Sequence, residues 1–247
     1  MFNFFRSKPK EPAQLCFKTD IHCHVVPGVD DGSPDAVTSV DLIERMQRWG
    51  IERIFASPHV TQYTFENSPA TIEPAMEELR AELKRRGNNI FIDHGAEYRI
   101  DDLFNNILTS GQTLMHLPDK YLLIENSFMQ ESWHLDELVF DLLVKGYRPI
   151  LAHPERYLYY ANKKKRYEEL HNAGLLFQIN LLSLAGAYGK SETKLAEYLI
   201  KQGFVDFIGT DLHKASHADR IDAYLTTSAA HSHMADLSQL VLNDKAF

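Results

Sequence analysis

His22 and His24 are separated by a single residue, and in an extended segment side chains two apart point the same way, so both imidazoles can grip one ion. Asp211 and His213 repeat that spacing near the other end of the chain. Between them lie groups of the same chemical kind: Asp30 and Asp31, His59 in Ser57-Pro58-His59, Glu97 in Gly95-Ala96-Glu97, Glu125 in Glu125-Asn126-Ser127, and His153 in His153-Pro154-Glu155-Arg156. Imidazole nitrogens and carboxylate oxygens without thiolates suit zinc, iron or manganese, and this many anionic ligands implies more than one divalent ion. A lone His-x-His carries little weight, because histidine has many uses besides metal binding. His94, His116, His134, His171, His217, His231 and His233 stand outside the pattern and read as surface or core residues.

The elements that must hold these residues follow one repeating unit: a short apolar run, a polar loop, an amphipathic run, then glycine. Gly50, Gly87, Gly111, Gly146, Gly174 and Gly203 sit where a helix ends in a left-handed residue before the next strand. Ser33-Pro34 and Ser68-Pro69 read as helix openings. Strands are expected near residues 17–21, 53–56, 90–93, 121–124, 149–152, 175–179 and 205–208, mostly as continuous apolar runs suited to parallel strands covered on both faces. Seven such units predict an α/β fold, a distorted TIM-like (β/α)7 barrel in a single domain, with an open doubly wound sheet as the alternative. Nearly every strand then delivers a metal-competent residue at its C-terminal end, Asn180 for the sixth, which is where barrel active sites are built.

Composition narrows the classes. The 247 residues are 44% hydrophobic and 24% charged, with a formal net charge of −8, which argues against a nucleic-acid partner. No apolar stretch approaches the roughly 20 residues of a membrane span. Residues 1–10 lack the features of a secretory signal, so the expected location is cytoplasmic, with residues 1–14 a flexible tail and 15–247 the catalytic domain. Cys16 and Cys23 read as reduced thiols. A cysteine-dependent tyrosine phosphatase needs arginine six positions after its nucleophile, where this chain has His22 and Val29. Gly189-Lys190-Ser191 lacks the P-loop glycine, since Leu184 stands in its place, and no His-Glu-x-x-His occurs.

Taken in order, Asp20-Ile-His-Cys-His, Pro27-Gly-Val-Asp-Asp-Gly, Ser57-Pro-His, Gly95-Ala-Glu, Ile124-Glu-Asn, Ala152-His-Pro-Glu-Arg-Tyr and Gly209-Thr-Asp-Leu-His resemble the PHP (polymerase and histidinol phosphatase) superfamily. Within it they look most like the bacterial CpsB/YwqE-type tyrosine phosphatases associated with capsular and exopolysaccharide synthesis. The resemblance implies two to three divalent ions (Mn, Fe or Zn) held by His22, His24, Asp31, His59, Glu97, Glu125, His153, Asp211 and His213. It also implies a phosphate-contacting Arg156, and a phosphotyrosine protein as partner, a tyrosine kinase of polysaccharide export. The family commonly has another arginine after its last histidine motif. Here His217 stands in that neighbourhood, leaving Arg220, or Arg99 beside Glu97, as the candidate replacement.

On this reading a metal-bridging hydroxide attacks the phosphoryl group, with Arg156, Asp31 and His213 at the reacting centre. Arg156 and Arg99 bind the substrate, and a phenolate leaving group, with a pKa near ~10, needs little acid assistance. Tyr63, Phe65, Tyr157, Tyr159 and Tyr160 are candidates to flank its ring, and the run Lys163 to Arg166 reads as a solvated helix start. The alternatives are a small-molecule phosphatase of the histidinol-phosphatase kind, an amidohydrolase-type hydrolase, and a non-enzymatic scaffold, which would lack ligands.

Overall fold

The computed structural model describes residues 11–247. Its elements run β1 (Thr19–Asp20), α1 (Ala36–Arg48), β2 (Arg53–Ala56), β3 (His59–Thr61), β4 (Phe65–Glu66), α2 (Pro69–Arg85), β5 (Phe91–His94), β6 (Glu97–Arg99), α3 (Asp102–Ser110) and β7 (Tyr121–Glu125). There follow α4 (Leu135–Val144), β8 (Arg148–Ala152), α5 (Lys165–Asn172), β9 (Leu176–Asn180), α6 (Leu181–Leu184), α7 (Lys190–Gln202), β10 (Phe207–Gly209), α8 (Ala215–Leu225), α9 (Ser228–Leu237) and α10 (Asn243–Ala246). No helix among the described residues is long and apolar enough to cross a membrane.

One sheet has the order β1-β2-β5 and the other β10-β9-β8-β7-β6-β3-β4; every pairing is parallel except β3 with β4. The second expected strand is broken at Ser57-Pro58 into β2 and β3, and the third at Gly95-Ala96 into β5 and β6. Pairing continues across both breaks, because Gly95 N–H donates to Ala56 O (2.9 Å) and Glu97 N–H to Pro58 O (3.0 Å). The circuit returns to the first strand through a parallel bridge between Cys23 and Leu212, flanked by Asp211 N–H to His22 O (2.8 Å) and His24 N–H to Leu212 O (2.9 Å). Seven strand positions thus follow one another in chain order around a distorted (β/α)7 barrel.

Strand periodicity divides the apolar residues between two cores. Tyr121, Leu123, Ile150, Ala152 and Phe207 join Ile21, Phe55 and Leu117 in an inner floor, against which Phe247 packs. Their neighbours Leu122, Ile124, Leu151 and Ile208 point outward into the larger core shared with the helices.

All six helix-ending glycines have φ between 69° and 99°, the left-handed conformation their positions predicted. Ser68 caps α2 in a capping box with Thr71. The opening of α1 differs: its N-cap is Asp35, whose carboxylate accepts from Thr38 N–H (2.8 Å). Ser33 is instead drawn into the preceding loop, where its carbonyl accepts from Gly28 N–H and its own N–H donates to His24 O. Of the tail expected over residues 1–14, residues 1–10 lie outside the described residues. Ala13 is buried, and its N–H donates to Leu225 O at 2.7 Å.

Candidate metal centre

The alternation that fills the floor also builds the site one layer above it. Glu125 follows Leu123 on the inward face of β7, Glu97 and Arg99 share the inward face of β6 while Tyr98 packs outward, and Gln178 and Asn180 flank outward Ile179 on β9. Around this rim the nine expected ligands fall into four groups with ligand atoms within 4.8 Å of one another. These are His24, Asp31, His59 and His213; His22, His24 and Asp211; His22, Glu97 and His153; and His59, Glu97 and Glu125. Asp211 and His213 therefore belong to different groups. Asp211 has φ of 52°, and His213 Nδ1 still lies 3.4 Å from Asp211 Oδ1.

Each inner histidine is oriented from behind. His22 Nδ1–H donates to Gln178 Oε1 (2.6 Å) and His24 Nδ1–H to Asp30 Oδ2 (2.8 Å), leaving both Nε2 atoms facing inward. Asp30 also accepts from His59 N–H (3.1 Å) and Gly32 N–H (2.9 Å). Asp211 is held similarly: its Oδ2 accepts from Asn180 (2.6 Å), Tyr188 OH (2.8 Å) and Arg156 (3.1 Å), while Oδ1 lies 3.5 Å from both inner Nε2 atoms. His22 Nε2, His24 Nε2, His59 Nδ1 and Glu97 Oε2 are buried without hydrogen-bond partners, and the three nitrogens lie 3.1 to 3.5 Å from Glu97 Oε2. Converging orphaned donors and acceptors are costly in a protein interior unless a cation joins them, so this residue set fits divalent metal.

Electrostatics report the same crowding. Burial disfavours the charged forms of His22 and His59, but Glu97, with Asp211 beside His22, outweighs it and pushes them up to about 9 and about 10. Burial, reinforced by His213 and His59, lowers His24 to about 4; burial and Arg156 lower His153 to about 4. Burial and the neighbouring Glu97 raise Glu125 to about 7, whereas Glu97, despite its burial, is held well below the usual carboxylate range by His22 and His59. Cys23 is buried, which pushes its thiol well up and leaves no thiolate nucleophile.

Local backbone geometry is matched to the cluster. A Cβ on Gly32 would lie 2.1 Å from His24 O, and one on Gly209 would lie 2.6 Å from His22 Cβ, so both histidine backbones are approached too closely for any side chain. His153 and Asp211 have φ of 35° and 52°, a region unfavourable to side chains and frequent at functional sites.

Above the cluster opens a cavity of about 410 Å³. Arg156 reaches into it, its guanidinium 4.1 Å from the ring centre of Tyr188 and 4.7 Å from that of Phe128. Arg99 lines it too, with Nη1 3.3 Å from Glu125 Oε1, as do Lys214 and His217. Arg220 is exposed on α8 and does not line it.

Among the aromatic candidates, Phe65 lines the cavity and stacks on His59, but Tyr157 and Tyr160 are buried in the core and have no face for a ligand. Tyr159 donates to Ser127 O, and Tyr63 is 89% exposed outside the lining. Gln178 behind His22, and Phe128, Tyr188 and Lys214 at the cavity, carry no local signal in the sequence, whereas Asp30, which stands beside Asp31 in its motif, lies behind His24 rather than in the ligand groups.

A family model described as capsular polysaccharide synthesis, CpsB/CapC, matches residues 18–235. The chain is 32% identical over 194 residues to the tyrosine-protein phosphatase YwqE of Bacillus subtilis (strain 168), covering 78% of this chain and 76% of that protein. It is 30% identical over 200 residues to the putative tyrosine-protein phosphatase CapC of Staphylococcus aureus, covering 80% and 78%. A crystal structure from work on YwqE of B. subtilis and CpsB of Streptococcus pneumoniae, described as unique metal-dependent tyrosine phosphatases, superposes with a TM-score of 0.77 at 29% identity, over 92% of this chain and 94% of that one.

Proposed function

Since this chain belongs to the CpsB/CapC capsular polysaccharide synthesis family, we propose that it is a metal-dependent protein-tyrosine phosphatase whose substrate is a phosphotyrosine protein, a tyrosine kinase of polysaccharide export. The observation that carries the reading is the ring of buried, partnerless His22, His24, His59 and Glu97 atoms directly beneath an arginine held at the cavity wall.

In this proposal residues 15–247 form one catalytic domain, acting in the cytoplasm. The ligands of two to three manganese, iron or zinc ions are His22, His24, Asp31, His59, Glu97, Glu125, His153, Asp211 and His213. When bound, such ions neutralise phosphoryl oxygens and acidify a water for attack. The chain's own groups do the rest. Gln178 and Asp30 fix the tautomers of His22 and His24 so that both Nε2 atoms stay available. Asp31, 59% exposed, and His213 stand 3.6 Å apart at the open edge, where a phosphoryl group enters. Arg156 uses one nitrogen on Asp211 and presents its remaining donors to the phosphoryl oxygens, with Arg99 as the second cation. Replacement of the family's arginine by Arg99 rather than Arg220 is supported by its place in the cavity wall.

Parallel assays of the metal-loaded protein on a phosphotyrosine peptide and on histidinol phosphate test the proposal. Turnover of the peptide at least tenfold faster is expected. Preference for histidinol phosphate would make it a small-molecule phosphatase, and full turnover after exhaustive chelation would overturn the metal mechanism.

A further inference from the structure

Arg156 is clamped rather than merely placed. Tyr188 and Phe128 both lie against its guanidinium, at 4.1 and 4.7 Å, and Nη1 is anchored to Asp211 Oδ2 at 3.1 Å. The two rings come from different parts of the fold. Tyr188 lies between α6 and α7, flanked by Gly186 and Gly189 with φ of 70° and 135°, and its OH donates to the same Asp211 oxygen at 2.8 Å. Phe128 follows β7, stacks on His153 at 5.6 Å and has the Arg99 guanidinium 5.9 Å from its ring centre. It therefore touches both cavity-lining arginines, yet remains 43% exposed and lines the cavity itself.

From this arrangement we infer that Phe128 is the specificity-determining residue that makes the site prefer aryl over alkyl phosphate esters, and that Tyr188 is a positioning residue that holds Arg156 at the cavity wall through its ring. The inference rests on the phosphatase reading. A phosphoryl group on the donors of Arg156 places its ester substituent within reach of the exposed Phe128 surface. A phenyl ring there gains an aromatic contact that an alkyl chain does not match.

The test compares Phe128→Leu and Phe128→Trp with the parent protein, all metal-loaded and with metal content measured. The substrates are p-nitrophenyl phosphate and β-glycerophosphate, and the inhibitors phenylphosphonate and methylphosphonate. Phe128→Leu, which also loosens one side of the Arg156 clamp, should lower aryl kcat/KM and raise the phenylphosphonate Ki by about three- to tenfold more than it changes the corresponding alkyl values. Phe128→Trp should restore the aryl preference. Equal losses on aryl and alkyl ligands, or no change on either, would overturn the role of Phe128. Tyr188→Phe, which keeps the ring but removes the hydrogen bond to Asp211, should at equal metal content raise the KM and phosphonate Ki values less than Tyr188→Leu, which should raise them for both ligand classes. Equivalent behaviour of the two would remove the clamp. Absence of turnover of either ester by the parent protein sinks the phosphatase reading itself, an outcome distinct from parent activity whose aryl preference Phe128→Leu leaves intact.

Discussion

Along β7, Tyr121 and Leu123 face a floor of interlocked apolar side chains, while Glu125, the next inward residue, faces a cluster of histidines and carboxylates. The same contrast recurs along β10, where Phe207 packs edge-on to Tyr121 at 5.5 Å and Asp211, just past the other end of the strand, stands among His22, His24, Arg156, Asn180 and Tyr188. The floor is satisfied by dispersion and burial alone. The rim leaves buried atoms without partners and holds His153 and Asp211 in an unfavourable backbone region. One end of the barrel therefore supplies stability that the other consumes, and damage to the two ends should have separable consequences.

Removing metal is the most severe test of that separation. Exhaustive chelation should abolish phosphotyrosine hydrolysis, by at least about 100-fold, with recovery on adding back manganese, iron or zinc. Far-UV circular dichroism should change little, because the floor needs no ion. Phe207→Ala attacks the opposite end: a loss of about 3 to 5 kcal/mol in denaturant unfolding is expected, with kcat/KM of the folded fraction within about twofold of the parent. Gln178→Leu probes the boundary between the two layers. It deprives His22 Nδ1 of its acceptor and should weaken metal affinity, read by chelator competition, by about 10- to 100-fold, and the buried donor left unpaired should cost the metal-free protein about 1 to 3 kcal/mol in unfolding free energy.

The smallest effect lies outside both layers. His171 donates to Asp206, which raises its pKa above the ordinary value of 6.5 against a weaker opposing effect of burial. A histidine whose folded pKa is raised contributes stability that is complete below pH 6.5 and is lost as pH rises through the folded value. His171→Gln should therefore cost under about 1 kcal/mol in acid and converge with the parent in alkaline solution, as read by unfolding at several pH values. A constant difference at all pH values would assign the effect to packing against Phe177 and Phe204 instead.

Local chemistry accounts for most of what could be read before the structure. The six glycines announced helix ends because a left-handed residue is a local requirement, and the ligand residues stood out because each follows its own apolar run. Ser57-Pro58 and Gly95-Ala96 were visible as motifs but not as strand breaks, since pairing carries on through the carbonyls on either side. Phe128 and Tyr188 lacked any signature: their partner Arg156 lies 28 and 32 residues away in the chain, and only the tertiary fold brings the three together. Tyr157 and Tyr160 misled for the converse reason, because aromatic residues in a loop give no indication of which way the loop folds over them.

The left-handed φ angles of His153 and Asp211 set limits on mutagenesis at these positions. Each screens an incoming residue twice, once for its donor atoms and once for its backbone. Asparagine passes the second screen better than most side chains, so Asp211→Asn isolates the effect of charge, whereas Asp211→Val would add a conformational penalty to it. At His153 asparagine again keeps the backbone but loses the imidazole, so no single exchange preserves both. A saturation library across the nine ligand positions should accordingly return its shortest lists of tolerated residues at these two, even when selected only for folding.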